Sequence, residues 1–563
     1  MKKLVVLLCA LFLVQGVAAQ VWIPIATDYL NLESFRHQAT QTIEDDLDNG
    51  IDGTDIFAVE GARIYTNLSN LVSGGERQGD NMYSEETVLI GGTTPIFYKG
   101  LKVTAFYGNT NQTNSMEYLL DSTYLEDFNS DEEWDYRSIT HNNEYGKEQA
   151  TGNSILLNIG KIMSRGREVA LTYKRSGYTE SAEEEDSAHY IAQDLTPSLV
   201  TNVLWDEFGN ASGKGQAPVT TYALSYSSPF RTWDFRGDVF FATSGETIEE
   251  NEFNYRWQNN DPDDIATTFE TLDSVDFAGK YSANANIIGI NGRLSDLNKK
   301  TGLLWEVGGN YALITGGGDN NYEENSHYIR QEEWISNQVE VLDTNYTENL
   351  TAPISVSGNA MGLNGRIEWQ ISENVRFGLG CMVNTFSATL EEDRAYTEEI
   401  NSSFNDDDNL VIDADDYTIV ATGGWDATYT RKMSGNRIAI PAGIEVNFGK
   451  NKDWFLRLGA VSVGSTMEMT EAYAVDSVHL YERVVTDGTG ARTRTFDTSM
   501  ADPDGEYTSS STYQDVNYTY GLGWKPSKNL SIDLLGMFDL SGVELLSTDW
   551  LRSLKLSATI NLY

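Results

Sequence analysis

Arg437-Ile438-Ala439-Ile440-Pro441-Ala442-Gly443-Ile444-Glu445-Val446-Asn447-Phe448 decides the fold. Its even positions, Ile438, Ile440, Ala442, Ile444, Val446 and Phe448, are apolar, whereas Pro441, Gly443, Glu445 and Asn447 occupy the odd ones. Side chains of a β-strand point alternately to opposite faces, so this is a strand with one greasy side and one wet side. After Lys450-Asn451-Lys452 the partner repeats the pattern, with Leu456, Leu458 and Ala460 opposing Arg457 and Gly459. Leu303, Trp305, Val307 and Tyr311 likewise oppose Glu306, Gly308 and Asn310. Tyr518, Tyr520, Leu522 and Trp524 alternate with Asn517, Thr519, Gly521 and Gly523, and Leu554 to Leu562 alternates with Lys555, Ser557, Thr559 and Asn561.

The same unit recurs from about residue 86: strand, tight turn, strand, long polar stretch. Seven turns are read, near Tyr98-Lys99-Gly100, Ser164-Arg165-Gly166, Pro229-Phe230-Arg231, Asn298-Lys299-Lys300, Ser372-Glu373-Asn374, Lys450-Asn451-Lys452 and Pro526-Ser527-Lys528. The polar stretches between them are too long for connections inside a compact soluble domain. Alternating short and long connections suit a membrane barrel, with turns on the periplasmic side and loops outside. A first strand around Ile56 to Asn67 and a last one from Leu551 bring the expected count to 16, within a range of 14–18; residues 417–431 could add a hairpin within a loop. Aromatics mark the turn rim, where amphipathic rings prefer the membrane interface: Tyr98, Trp233, Trp369, Phe448, Trp454, Trp524 and Tyr563.

The chain of 563 residues carries 39 Lys and Arg against 84 Asp and Glu, a formal charge of −45, which sets aside nucleic acid as a partner. Six polar stretches, beginning at residues 109, 177, 244, 313, 391 and 472, hold −43 of that charge, so the loops are read as the acid. No apolar run after the first twenty residues is long enough for a spanning helix. Lys2 and Lys3, the apolar stretch Leu4 to Val14 and the small residues Val17-Ala18-Ala19 read as a signal peptide over residues 1–19. Cleavage there removes Cys9 and leaves Cys381 alone, so no intrachain disulfide is expected.

The pattern resembles Gram-negative outer-membrane β-barrels of porin-like type, over essentially all of the chain past residue 55. The resemblance implies an all-β, transmembrane, antiparallel up-and-down barrel over 55–563, located in the cell outer membrane and contacting its lipid. It also implies a channel for passive passage of small hydrophilic solutes, because a ring of this size leaves an aqueous bore. The lumen-facing candidates are the lone charges on the polar parity: Arg236, Asp238, Glu306, Arg366, Glu368, Arg376, Glu445 and Arg457. Positive and negative members are equal in number, so they set no selectivity, whereas acidic loops should collect cations at the outer mouth. The alternative is a barrel-anchored surface protein acting through those loops, by adhesion or cation-bridged packing. Uptake of apolar molecules would need an apolar lumen or a lateral opening, and the polar parity argues against it. A homo-oligomer is left open.

Residues 20–54 precede the barrel. Tyr29, Leu32, Phe35, Ala39, Ile43 and Leu47 draw one helical stripe ended by Asn49-Gly50, read either as a plug lodged in the lumen or as a periplasmic tail. A TonB-type transporter would need a far larger plug. Asp46, Asp48, Asp52 and Asp55 with Gly50 and Gly53 have a partial calcium-loop spacing but lack its bidentate Glu. Asp406, Asp407, Asp408, Asp413, Asp415 and Asp416 could collect cations without forming a cage. No cofactor, metal centre or catalysis is expected: there is no Walker loop or zinc pair, and His37, His141, His189, His327 and His479 are read as lying off the strands.

Overall fold

The computed structural model describes residues 35–51, 53–69, 76–78, 81–96, 100–127, 134–195, 200–230, 233–260, 269–298, 301–333, 339–405, 416–497, 505–538 and 555–562. The signal peptide with Cys9, Tyr29, Leu32, Asp52, Tyr98, Lys99, Arg231, Lys299, Lys300, Asp406, Asp407, Asp408, Asp413, Asp415, Leu551, Leu554 and Tyr563 lie outside the described residues.

Among the described residues, eighteen strands share one antiparallel sheet: β1 (Arg63–Ser69), β2 (Glu76–Gln78), β3 (Asn81–Pro95), β4 (Leu101–Glu126), β5 (Tyr136–Ile162), β6 (Glu168–Asp194), β7 (Val200–Phe230), β8 (Trp233–Asn260), β9 (Phe269–Asn298), β10 (Leu303–Glu333), β11 (Val339–Ser372), β12 (Val375–Asn405), β13 (Tyr417–Phe448), β14 (Trp454–Asp487), β15 (Arg492–Asp497), β16 (Gly505–Ser527), β17 (Leu530–Phe538) and β18 (Lys555–Asn561). β2 pairs only with β3 and β15 only with β14, so both are hairpin flaps; β1 pairs with both β3 and β18 and closes the rest into a ring of 16. Closure gives each of the 16 ring strands a partner on both sides near the turns, which a strand crossing hydrocarbon requires. β1 starts at Arg63, later than the Ile56 expected from alternation, because Gly53–Ala58 forms a 3-10 helix and the chain turns at Gly61 with φ 67°.

Exposure alternates along the turn-proximal part of each strand. In β5, Ile155, Leu157 and Ile159 are exposed while Ser154, Leu156 and Asn158 are buried. The exposed set continues around the ring through Leu224, Val239, Ile288, Val307, Leu363 and Leu458. Rings gather at the turn rim: Trp454 stacks on Trp524 at 5.5 Å, and Trp233 meets Trp305 edge-on at 5.9 Å. An apolar outer band with an aromatic girdle around a polar interior is the build of an outer-membrane barrel, and this chain has that build.

The acidic stretches differ from the expectation of irregular loops. Their described residues are mostly paired strand: Thr110 faces Gly152 and the pairing runs unbroken to Glu126 and Tyr136. Residues 417–431 are not a separate hairpin but the first part of β13. With up to 34 residues in a strand and about 9–11 needed to cross a bilayer, roughly two thirds of the longest strands stand beyond the apolar band as a collar. His141, His189, His327 and His479 consequently sit on strands of this collar, against the expectation that no histidine does.

Candidate functional site: the lumen and its N-terminal segment

The described N-terminal segment lies inside the ring at the turn end. It is not the single helix expected from the stripe but two short ones, Phe35–Thr40 and Asp46–Ile51, followed by the 3-10 helix Gly53–Ala58. The break comes at Gln41, whose φ of 61° is left-handed and ends the first helix. Thr40 Oγ1 then accepts from the Ile43 amide at 2.9 Å. Asp45 caps the second helix by accepting from the Leu47 amide at 2.8 Å, and Asp48 Oδ2 accepts from the Asp45 amide at 2.7 Å, a reciprocal capping box. Asp48 is thus used for capping and Asp55 for pairing with arginine, so neither serves a calcium loop. Ala39, Ile43 and Leu47, three of the stripe residues, are buried.

The wall is shaped to receive this segment. Gly378, Gly443 and Gly459 stand abreast on β12, β13 and β14. A Cβ on Gly443 would lie 1.9 Å from the Thr40 carbonyl oxygen, and one on Gly459 would lie 2.6 Å from that of Ala39. Only a glycine row leaves room for backbone to approach the wall so closely. Opposite, Leu47 and Ile51 pack against Tyr65, Leu89, Phe106 and Leu156 on β1, β3, β4 and β5.

Charge completes the fit. Arg36 forks onto Glu445, which also accepts from Arg457 Nε at 2.8 Å; Arg457 in turn pairs with Asp533. Glu44 pairs with Arg366, which also reaches Glu306 at 3.3 Å and Glu368 at 3.8 Å. Arg236 and Arg293 stand directly opposite each other on β8 and β9, a repulsive register that Asp55 neutralises by pairing with both. Arg236 Nε also donates to Asp238 at 3.2 Å. Bonds to backbone carbonyls add to these: Asn158 donates to that of Gly53 at 2.8 Å, Thr519 to that of Ala39 at 3.0 Å, and the Lys102 ammonium to that of Val59.

Arg236, Asp238, Glu306, Arg366, Glu368, Arg376, Glu445 and Arg457 therefore all lie on the inward parity, and the structure joins seven of them to two carboxylate–arginine networks, since Arg293 Nε lies 3.6 Å from Glu306 and links the Asp55 set to the Glu44 set. Arg376 stands opposite Glu445 in register without a carboxylate within 4 Å among the described residues. Sequence reasoning missed Arg293 and Asp533, although Arg293 alternates with Ile288 and Ile290 as the others do; it missed Arg36 and Glu44, and read Asp55 only as part of a calcium-loop spacing, because the segment itself shows no strand parity.

Two cavities flank the segment, each of about 360 Å³. One, at the turn end, is lined by Asp55, Phe57, Glu168 and Arg236; the other, deeper in the barrel, by Ile51, Lys174, Arg236 and Asn310. Further along, the inner wall is not uniformly polar as expected. Ala242, Ile287, Ala312 and Ile314 form a buried cluster with Phe240 and Val356 packed on it. A third cavity of about 260 Å³ lies beside that patch, lined by Asn291, Asn310, Asn364 and Asn384.

No protein-family model and no curated protein matches the chain. Among solved structures it is similar to a mutant of the ferric enterobactin receptor PfeA from Pseudomonas aeruginosa, at 8% identity over 89% of this chain and 80% of that one, with a TM-score of 0.24. It is also similar to BauA, the ferric preacinetobactin receptor from Acinetobacter baumannii, at 8% identity, 89% and 79% coverage and TM-score 0.22. The alcaligin outer-membrane receptor FauA from Bordetella pertussis gives 10% identity, 89% and 75% coverage and 0.19. Likeness at this level carries no argument about ligand or mechanism; the barrel rests on its own ring, band and girdle.

Proposed function

We propose that the chain is an outer-membrane transport barrel for small hydrophilic solutes, closed at its periplasmic end by the segment 35–59 and opened when that segment shifts. The observation that supports it most is Arg236, which lines both flanking cavities while its guanidinium holds Asp55 between them. Releasing this pair would free the side chain that borders both spaces. A ring of 16 strands leaves a bore wide enough for water once the segment withdraws. Single-channel recording in planar bilayers tests the reading: Asp55→Ala combined with Arg36→Ala should convert a closed or flickering barrel into one of steady conductance. Unchanged current in the double variant sinks the idea.

The collar favours a second reading, a surface protein whose business lies in the acidic wall standing clear of the bilayer. A barrel that stays electrically silent with the segment loosened, while intact cells still bind a surface ligand through the collar, would support it instead.

A further inference from the structure

The inner wall of the collar holds cations in a recurring way. Arg394 on β12 lies 4.1 Å over the ring of Tyr429 and pairs with Glu392 at 2.7 Å. Arg431 on β13 lies 5.5 Å from the centroid of the same ring and pairs with Glu471 at 2.8 Å. Each guanidinium thus has one aromatic face and one glutamate.

Farther from the turns, the wall carries the same ingredients in another set. The Tyr346 hydroxyl donates to Glu348, lies 3.3 Å from Glu398 Oε2 and 3.3 Å from the Tyr396 hydroxyl. Tyr396 stacks on Trp425 at 5.0 Å with 15° between the rings. Glu348 stands directly opposite Glu398 on one side and Glu324 on the other, so three acids lie abreast on β10, β11 and β12. Like charges in that relation repel. Glu398 is only 5% exposed, and among the described residues its Oε1 has no hydrogen-bond partner. Among the described residues neither Glu348 nor Glu398 has an arginine or lysine within 4 Å.

We propose that Tyr346, Glu348, Tyr396 and Glu398 bind a small protonated amine. Its ammonium donates to Glu348, to the Glu398 oxygen that lacks a partner and to a tyrosine hydroxyl, and its carbon chain lies along Tyr396 and Trp425. An ammonium has three donors and no acceptor, which suits a set made almost wholly of acceptors beside aromatic faces. A bare metal ion fits less well, since among the described residues no group of three or more acidic, histidine or cysteine side chains converges closely enough to hold one. The inference rests on the transport reading only for the step in which a bound amine moves inward.

Calorimetric titration of the detergent-purified full-length protein separates binding from transport. With 1,4-diaminobutane as the probe, saturable one-site uptake is expected, and none with the neutral isostere 1,4-butanediol. Glu398→Gln and Glu348→Gln should each weaken uptake at least tenfold, and Tyr396→Phe, which keeps the ring and the wall packing, several-fold; heat-modifiable gel migration checks that each barrel has formed. Uptake that is absent, or equal in the variants and the parent, overturns the proposal. So does displacement of the diamine by an equal concentration of Mg²⁺, which would make this a metal site.

Discussion

Arg36 reaches across 409 residues of sequence to meet Glu445 in a two-pronged bond, Nε to Oε2 at 2.8 Å and Nη2 to Oε1 at 2.7 Å. Parallel bonds of this kind fix direction as well as distance. Glu445 is 2% exposed, and its carboxylate is bonded by Arg36 and Arg457. Arg36→Ala should therefore release the segment more than it weakens the ring, because Glu445 keeps Arg457. We expect a loss of about 1.5–3 kcal/mol, the usual worth of hydrogen bonds to a charged group. Hydrogen exchange should locate it: amides of residues 35–58 lose protection while those of β12 to β14 keep theirs. Loss of protection throughout the ring would refute this division.

The glycine row provides an independent handle on the same contact. Gly443→Val places branched carbon where the Thr40 carbonyl lies, within a strand where valine is otherwise welcome. The barrel should assemble and remain heat-modifiable, while limited proteolysis cuts the displaced segment. A segment as resistant as in the parent would mean that the backbone does not need this cradle.

Much of the ring was legible because hydrocarbon imposes contrast. Where one face meets lipid, as along Arg437 to Phe448, apolar and polar residues must alternate, and the turns, the parity of Glu445 and Arg457 and the girdle of Trp454 and Trp524 follow. In the collar both faces meet water, so that contrast fades. Glu323, Glu324, Asn325 and Ser326 read as loop yet pair residue for residue with Tyr346 to Asn349. The interior clusters were half-visible: parity shows that Arg236 faces inward but not that Asp55, 181 residues earlier, comes to meet it. Nor could the helical stripe reveal a break at Gln41, which depends on a single backbone angle.

Glu398 lies in the collar, clear of the apolar band, and burial pushes its carboxyl above the usual range, with Glu348 adding to the effect. A raised carboxyl pKa means that the folded protein keeps a proton which the unfolded chain releases. This group's favourable contribution is thus full below the unfolded value and is lost as pH rises through the folded one. Amine binding has the opposite slope, because it needs the carboxylate. Diaminobutane affinity should fall on acidification already above the pH at which an ordinary glutamate titrates, and Glu398→Gln should move that fall to lower pH. A profile identical in the parent and the variant would remove Glu398 from the site.

Charge on the collar predicts the sign of any current through the opened barrel. The polar stretches that contain these strands hold −43 of the chain's −45, whereas the clusters at the turn end pair their acids with arginines. With a Debye length of about 8 Å at physiological ionic strength, the collar enriches cations only near its walls. The reversal potential of the Asp55→Ala, Arg36→Ala barrel in a KCl gradient should therefore favour K⁺, clearly at low salt and weakly at high salt. Neutralising Glu324, Glu348 and Glu398 together should reduce that preference, since the three stand abreast on the inner wall. Anion preference at low salt, or selectivity indifferent to ionic strength, would show that the collar's charge does not govern what enters.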